Sequence, residues 1–197
     1  MAWAPDYVTV SDLAAYLRID DSLDDAELAA AITAASRAVD HFCGRQFGRT
    51  DSPVERFYTA RRDYQTGWWT VDVDDLAEPP VTVEVAGDPV TSFELGPRNA
   101  AANGRPWTRI EFDAGSERLP TGSPDEVSVT GTWGWDAVPA TVQQATLLQA
   151  ARLFKRRDAP FGIAGSPESG SEMRLLARVD PDLQVSLWPY RRMRAVG

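Results

Sequence analysis

The sequence predicts an α+β fold: an antiparallel helical bundle that carries a small inserted antiparallel β domain and ends in an extended C-terminal arm. Apolar residues recur at helical spacing in the first 43 positions, and strand-like alternation follows over 45–137. Helical spacing returns after Pro139. The chain is thus expected to leave the bundle once and return to it. The predicted segments are N-terminal helices at 1–47, the β domain at 48–136, the returning helix at 137–158, and a loop with a C-terminal docking tail at 159–197.

Two helices are expected in the N-terminal segment. The first spans about 7–19 and begins at Thr9 and Asp12, whose side chains match a capping box. The second spans about 23–43, begins at a similar pair at positions 22 and 25, and stops at Gly44, which suits the left-handed position after a helix. One apolar face of each helix contributes to the predicted bundle core: Leu13, Leu17, Leu28, Ile32, Val39 and Phe42.

The β domain is expected because β-branched and aromatic residues alternate with polar ones after residue 45. Gly87-Asp88 and Asn103-Gly104 mark turns, the first of them a hairpin, and 96–106 has the composition of a loop. The predicted strands are 55–60, 68–73, 81–86, 90–95, 107–112 and 127–133.

The returning helix follows Val138 and Pro139, because a proline in the first turn lacks only an N–H that would be unpaired anyway. Cations at 155–157 suit the negative end of its dipole. We expect Ile32 and Val39 to face this helix in a buried core. Its own contribution to that core is Val142, Ala145, Leu148 and Phe154.

The last segment combines a glycine- and proline-bearing loop at 158–171, an extended piece at 172–179 and a short helix that starts at Asp180-Pro181. One side of that helix is apolar and arginines follow it, so the segment gains by docking on a neighbouring subunit or another protein. The alternative is that it folds back on its own bundle as a fourth helix. The predicted docking residues are Leu183, Leu187, Trp188, Tyr190, Arg191 and Arg192.

Charge and composition limit the function. The formal net charge of −9 disfavours a duplex-binding surface, since such surfaces neutralise phosphates with cations. Residues 138–197 nevertheless carry nine basic and five acidic side chains. That local excess indicates either solvated surface or a basic tail that meets an acidic neighbour, such as another copy of the chain. No stretch approaches the ~20 apolar residues of a membrane span, and a signal peptide is not expected.

No pattern predicts catalysis, a metal or a cofactor. His41 and Cys43 lie two positions apart on a helix and do not share a face, and a lone cysteine excludes an internal disulfide and fits a reducing compartment. The acidic residues Asp72, Asp74 and Asp75 lack the glycine turn and distal glutamate of a calcium loop, so a solvated strand edge is favoured. Two pairs of tryptophans have rings of the kind that stack on bases, but beside acidic residues they are expected in the core or at subunit contacts: Trp68, Trp69, Trp133 and Trp135.

Three runs of the sequence resemble the head-tail connector (adaptor) proteins of long-tailed, siphovirus-like phages, which dock on the portal after DNA packaging. The first run is YVTVSDLAAYLRIDDSLDDAELAAAITAASRAVDHFCGRQF, similar to that family's capped short helix, acidic turn and alanine-rich long helix. The second is GTWGWDAVPATVQQATLLQAARLFKRRDAPFG, similar to its Gly-Trp corner and returning helix. The third is RVDPDLQVSLWPYRR, which resembles its closing segment. Together they cover under half of the chain, and 45–130 is only loosely similar.

The resemblance implies a structural protein of the virion neck without enzymatic activity. It implies a ring of about twelve copies at the head-tail interface, assembled in the host cytoplasm. The implied partners are other copies of the chain, the portal protein, and a stopper or tail-completion protein. DNA would pass through the channel without specific binding, and no membrane is involved. In that family the C-terminal end lies toward the portal.

Two other classes of function stay open. One is a ligand- or carbohydrate-binding β module carried on a helical scaffold, which the seven tryptophans support and a glycan or ligand screen would separate. The other is an enzyme that uses paired acids such as Asp72 and Asp74. Strand alternation puts those two on one face, but nothing supplies a second group of different pKa.

Overall fold

The computed structural model describes residues 3–157, 163–164, 173–174 and 181–192. The chain divides into two compact units, bounded as Met1–Pro5 with Gln46–Ala137 and as Asp6–Arg45 with Val138–Gly197. The first is a β unit and the second is a helical unit. Each has its own apolar core.

The predicted fold class, a helical bundle with a small inserted β domain, is wrong. The described residues form a mixed α and β protein with four α-helices and two four-stranded antiparallel sheets, and most of the core belongs to the sheets. Alternation along the sequence predicted a strand in six of the eight places and missed the two-residue strands Arg61–Arg62 and Asp88–Pro89. It carried no information on how many sheets they form or how much core they bury, because both depend on pairing between distant segments.

The β unit contains eight strands, which are in chain order β1 (Val54–Tyr58), β2 (Arg61–Arg62), β3 (Trp69–Leu76), β4 (Thr82–Val85), β5 (Asp88–Pro89), β6 (Glu94–Gly96), β7 (Trp107–Phe112) and β8 (Val127–Gly131). One sheet has the order β1-β8-β4-β5 and the other the order β2-β3-β7-β6. Alternate side chains of both sheets are buried in one cluster, for example Val71 and Ile110 from one sheet and Val83 and Val129 from the other.

The chain leaves the β unit through a tight corner at Trp133 and Gly134. Trp133 is fully buried, and its indole N–H donates to the Val54 carbonyl at 2.7 Å. Gly134 has φ +117, a conformation that side chains with a Cβ rarely adopt, and its N–H donates to the Asp75 carbonyl at 2.7 Å. The corner therefore depends on glycine at this position.

The helical unit contains α1 (Val10–Leu17), α2 (Asp25–Cys43), α3 (Ala140–Arg156) and α4 (Pro181–Leu187), with a 3-10 turn at Trp188–Tyr190. The capping box predicted at Thr9 and Asp12 is present. The one predicted at Ser22 is not, since Asp24 precedes α2 and makes no side-chain cap. Gly44 ends α2 with φ +64 as predicted. None of the described helices is long and apolar enough to cross a membrane.

The core of the helical unit joins α1, α2 and α3. Leu13, Leu28 and Ile32 cluster with Ala150 and Ala151, whose small side chains let α2 and α3 lie close together. Among the predicted core residues, six are buried: Leu13, Leu28, Ile32, Val39, Val142 and Ala145. Four are half-buried: Leu17, Phe42, Leu148 and Phe154.

One further strand pair is described between α3 and α4. Ile163–Ala164 (β9) pairs antiparallel with Met173–Arg174 (β10). Most of the predicted loop at 158–171 and of the extended piece at 172–179 lies outside the described residues.

Candidate interaction surfaces

The described segment from Pro181 to Arg192 is held on the helical unit itself. Leu183 and Leu187 of α4 are buried, and α4 packs against α3. Beyond the 3-10 turn, the Arg192 N–H donates to the Cys43 carbonyl at 2.8 Å. The described residues thus adopt the fold-back alternative, with α4 as a fourth helix of the unit.

This placement changes the set of residues that are available to a partner. Leu183 and Leu187 are 4% and 2% exposed, so they stabilise the protein's own fold rather than an external contact. Tyr190 and Arg192 are half-buried. The indole of Trp188 is 57% exposed, and Arg191 is exposed beside it.

Arg191 joins two aromatic rings into one surface. Its guanidinium carbon lies 5.0 Å from the centroid of the Trp188 ring and 5.2 Å from that of Phe42, at the end of α2. Cation–π contacts of this kind restrict the guanidinium and leave its edge free to donate hydrogen bonds. We term Phe42, Trp188 and Arg191 the arginine stack.

A second surface lies on the outer face of the sheet β1-β8-β4-β5. Phe57 of β1, Ser128 of β8 and Glu84 of β4 are register partners and form one row across three strands. Phe57 is 58% exposed, which is unusual for a large aromatic side chain. Ser128, which is 8% exposed, lies between Phe57 and Glu84 in this row.

The row is part of a groove of about 380 Å³ whose lining contains acidic residues and no basic one. Glu55, Glu84 and Asp125 make no ion pair within the described part of the chain. We term this surface the acidic groove and define it by Glu55, Phe57, Glu84, Asp125 and Ser128.

Glu126 also lines the groove, but its carboxylate is already engaged. It accepts hydrogen bonds from the backbone N–H groups of Thr121, Gly122 and Ser123 at 2.8, 3.1 and 3.2 Å. Burial opposes ionisation of Glu126, and these hydrogen bonds together with the Thr121 hydroxyl outweigh it and lower its pKa. Glu126 therefore fixes the wall of the groove.

The three acidic residues of β3 differ in exposure, whereas the sequence predicted a solvated strand edge for all of them. Asp74 accepts hydrogen bonds from Arg56 at 2.7 Å and from the Tyr58 hydroxyl at 3.2 Å. Asp75 is buried and accepts one from the Trp135 indole at 2.9 Å, whereas Asp72 is exposed. Among the described residues, no three His, Cys, Asp or Glu side chains are placed to hold a metal ion.

The other chemical candidates have structural surroundings. Burial raises the pKa of the Cys43 thiol to about 12 against the opposing charge of Arg45, so the thiol is protonated at neutral pH and a poor nucleophile. His41 is exposed on α2. Trp133 and Trp135 are buried, so neither presents an open ring to a base or a sugar. Trp68 and Trp69 are half-buried.

The acidic groove was not predicted from the sequence. Its strand reads VERFY, and two adjacent aromatic residues cannot both face the core in a strand. Tyr58 packs against the β core and binds Asp74, which leaves Phe57 on the outer face with Glu55. The Phe-Tyr pair was the only signal available.

No protein-family model matches the chain, and no curated protein matches it. The family resemblance thus rests on the three sequence runs.

Proposed function

We propose that this chain is a structural head-tail connector of a long-tailed phage. In this proposal it assembles as a ring of about twelve copies on the portal after DNA packaging and extends the DNA channel toward the stopper and tail. The mature protein is part of the virion, at the head-tail interface, after assembly in the host cytoplasm.

One observation carries the proposal. The three runs that resemble the connector family contain α1, α2, α3 and α4, and these helices pack together in one unit. The β unit, which is only loosely similar to the family, separates α2 from α3 in the chain. Accidental similarity in three short runs would not be expected to select the segments that share one core.

The charge of the chain supports a channel that does not retain DNA. The net charge is −9, and DNA affinity scales with the number of phosphates that cations neutralise. A ring with an acidic or neutral lumen lets the duplex pass without holding it. This is a mechanical role, and it requires no catalytic group.

Inactivating the gene in the phage that encodes it tests the proposal. We expect DNA-filled heads and complete tails that fail to join, and a plasmid copy of the gene should restore joining. Normal virions, or heads that fail before they are packaged, would contradict the proposed role.

A further inference from the structure

We infer that the arginine stack of one copy binds the acidic groove of the next copy, so that the chain carries both halves of a head-to-tail interface. The inference rests on the proposed ring, since it names the surfaces by which neighbouring copies join. The occupant of the groove is a second copy of this chain, through Trp188 and Arg191.

Charge complementarity is the first argument for this occupant. The groove presents Glu55, Glu84 and Asp125 without cationic partners among the described residues and has no basic residue in its lining. Arg191 is exposed and lies in the part of the chain, 138–197, that has nine basic and five acidic residues. Carboxylates without a cationic partner and an exposed guanidinium are complementary in charge.

The second argument is that the apolar parts also match. Phe57 is 58% exposed in the groove and Trp188 is 57% exposed in the stack. Both are aromatic side chains that a single copy leaves in water. Buried aromatic and arginine side chains are the groups that most often carry binding energy at interfaces.

The two surfaces differ from each other, so the contact is heterologous. Each copy donates its stack to one neighbour and its groove to the other, which repeats the same contact and closes a ring when the rotation between copies permits. A single interface of this kind accounts for assembly without any symmetric dimer.

Cross-linking between two cysteine variants tests the inference and leaves the defining residues of the arginine stack and of the acidic groove unchanged. Ser123→Cys places a thiol on the groove wall, and Val185→Cys places one on α4, where Val185 is 75% exposed. The native Cys43 is buried and does not react. The variants are mixed with a short bis-maleimide at a concentration at which light scattering shows association. We expect a cross-linked dimer in the mixture at least tenfold above that in either variant alone.

Substitutions at Trp188 and Glu84 test whether the cross-link depends on the proposed contact. Trp188→Ala in the Val185→Cys chain, or Glu84→Arg in the Ser123→Cys chain, should lower the cross-linked yield about tenfold or more. Tyr64→Ala, which removes another exposed aromatic side chain, is the matched control and should leave the yield unchanged. Glu84→Arg combined with Arg191→Glu on the partner chain should recover most of it.

Four results would overturn the inference. Cross-linking that is insensitive to the anchor substitutions, or that is strongest between two identical variants, means that copies join by other surfaces, and the ring proposal stands. If light scattering shows rings but the mixed cross-linked product is absent, the copies likewise join by other surfaces. If the wild-type chain forms no assembly either alone or with portal, both the inference and the proposed function fail.

Discussion

Replacing Gly134 by alanine is the most direct test of how the β unit is closed. Gly134 has φ +117, and a Cβ built there would lie 1.9 Å from the Gly48 carbonyl oxygen and 2.8 Å from the Arg49 Cα. Both contacts are to backbone, so no rotamer change relieves them. The chain must shift at the corner where Gly134 and Trp135 donate their N–H groups to Asp75 and Gly48 at 2.7 and 3.0 Å.

The expected loss of stability follows from three contributions. A residue with a Cβ in a sparsely populated region of backbone space costs about 1–3 kcal/mol. Forced movement of packed atoms costs about 1–3 kcal/mol more, and each weakened hydrogen bond about 0.5–1.5 kcal/mol. With both hydrogen bonds weakened, we therefore expect Gly134→Ala to lower the free energy of unfolding by about 3–9 kcal/mol, a large part of the ~5–15 kcal/mol typical of a domain.

Gly104→Ala is the matched control, because Gly104 also has a positive φ, +62, but has nothing within 4 Å of the added Cβ. Its cost should be only about 1–2 kcal/mol, from the backbone conformation alone. Urea unfolding monitored by tryptophan fluorescence measures both variants. If the two lose the same stability to within about 1 kcal/mol, the close approach at Gly134 does not exist as described.

Three further predictions concern other parts of the chain. Ile32→Asp puts an unpaired carboxylate into the α1–α3 core and should cost several kcal/mol, whereas Ala34→Asp on the exposed side of α2 should cost under about 1 kcal/mol in thermal melts. Leu187→Ala should lower stability by about 2–5 kcal/mol because Leu187 is 2% exposed, while equal melts of wild type and variant would show that α4 is not part of the fold. Hydrogen bonds, first from the Thr91 hydroxyl and then from backbone N–H groups, lower the pKa of Glu117 to about 2. Its contribution is therefore present above pH 4.5 and lost as the pH falls toward 2, so the melting-temperature difference between wild type and Glu117→Gln should shrink over that range; a difference that is constant with pH would contradict it.

Local features of the fold were predictable because their physics is local. The Thr9 capping box, the stop of α2 at Gly44 and the start of α3 after Pro139 each depend on a few neighbouring residues. The hairpin turn predicted at Gly87 is likewise present, with positive φ at Ala86 and Gly87 between β4 and β5.

The arrangement of the strands was not predictable from the same signals. β8 pairs with both β1 and β4, and β7 pairs with β3, across long separations in the chain. No local pattern specifies such neighbours, and the split into two sheets decides how large the core becomes. The prediction of a small β insert is wrong for this reason.

The candidate surfaces were predictable only in part, because they too depend on contacts between distant segments of the chain. Trp188 and Arg191 were among the six predicted docking residues, but so were Leu183 and Leu187, whose burial depends on α4 packing against α3. The acidic groove required knowledge of which side of β1 faces the core. That side is fixed by Asp74, a residue on another strand that binds Arg56 and Tyr58.

Native mass spectrometry of the purified chain, alone and mixed with the portal protein encoded by the same genome, tests the central claim most directly. The proposed function predicts that each portal ring gains the mass of about twelve copies of the chain in one cooperative step. A portal whose mass does not change when the chain is present in excess at micromolar concentration would contradict it.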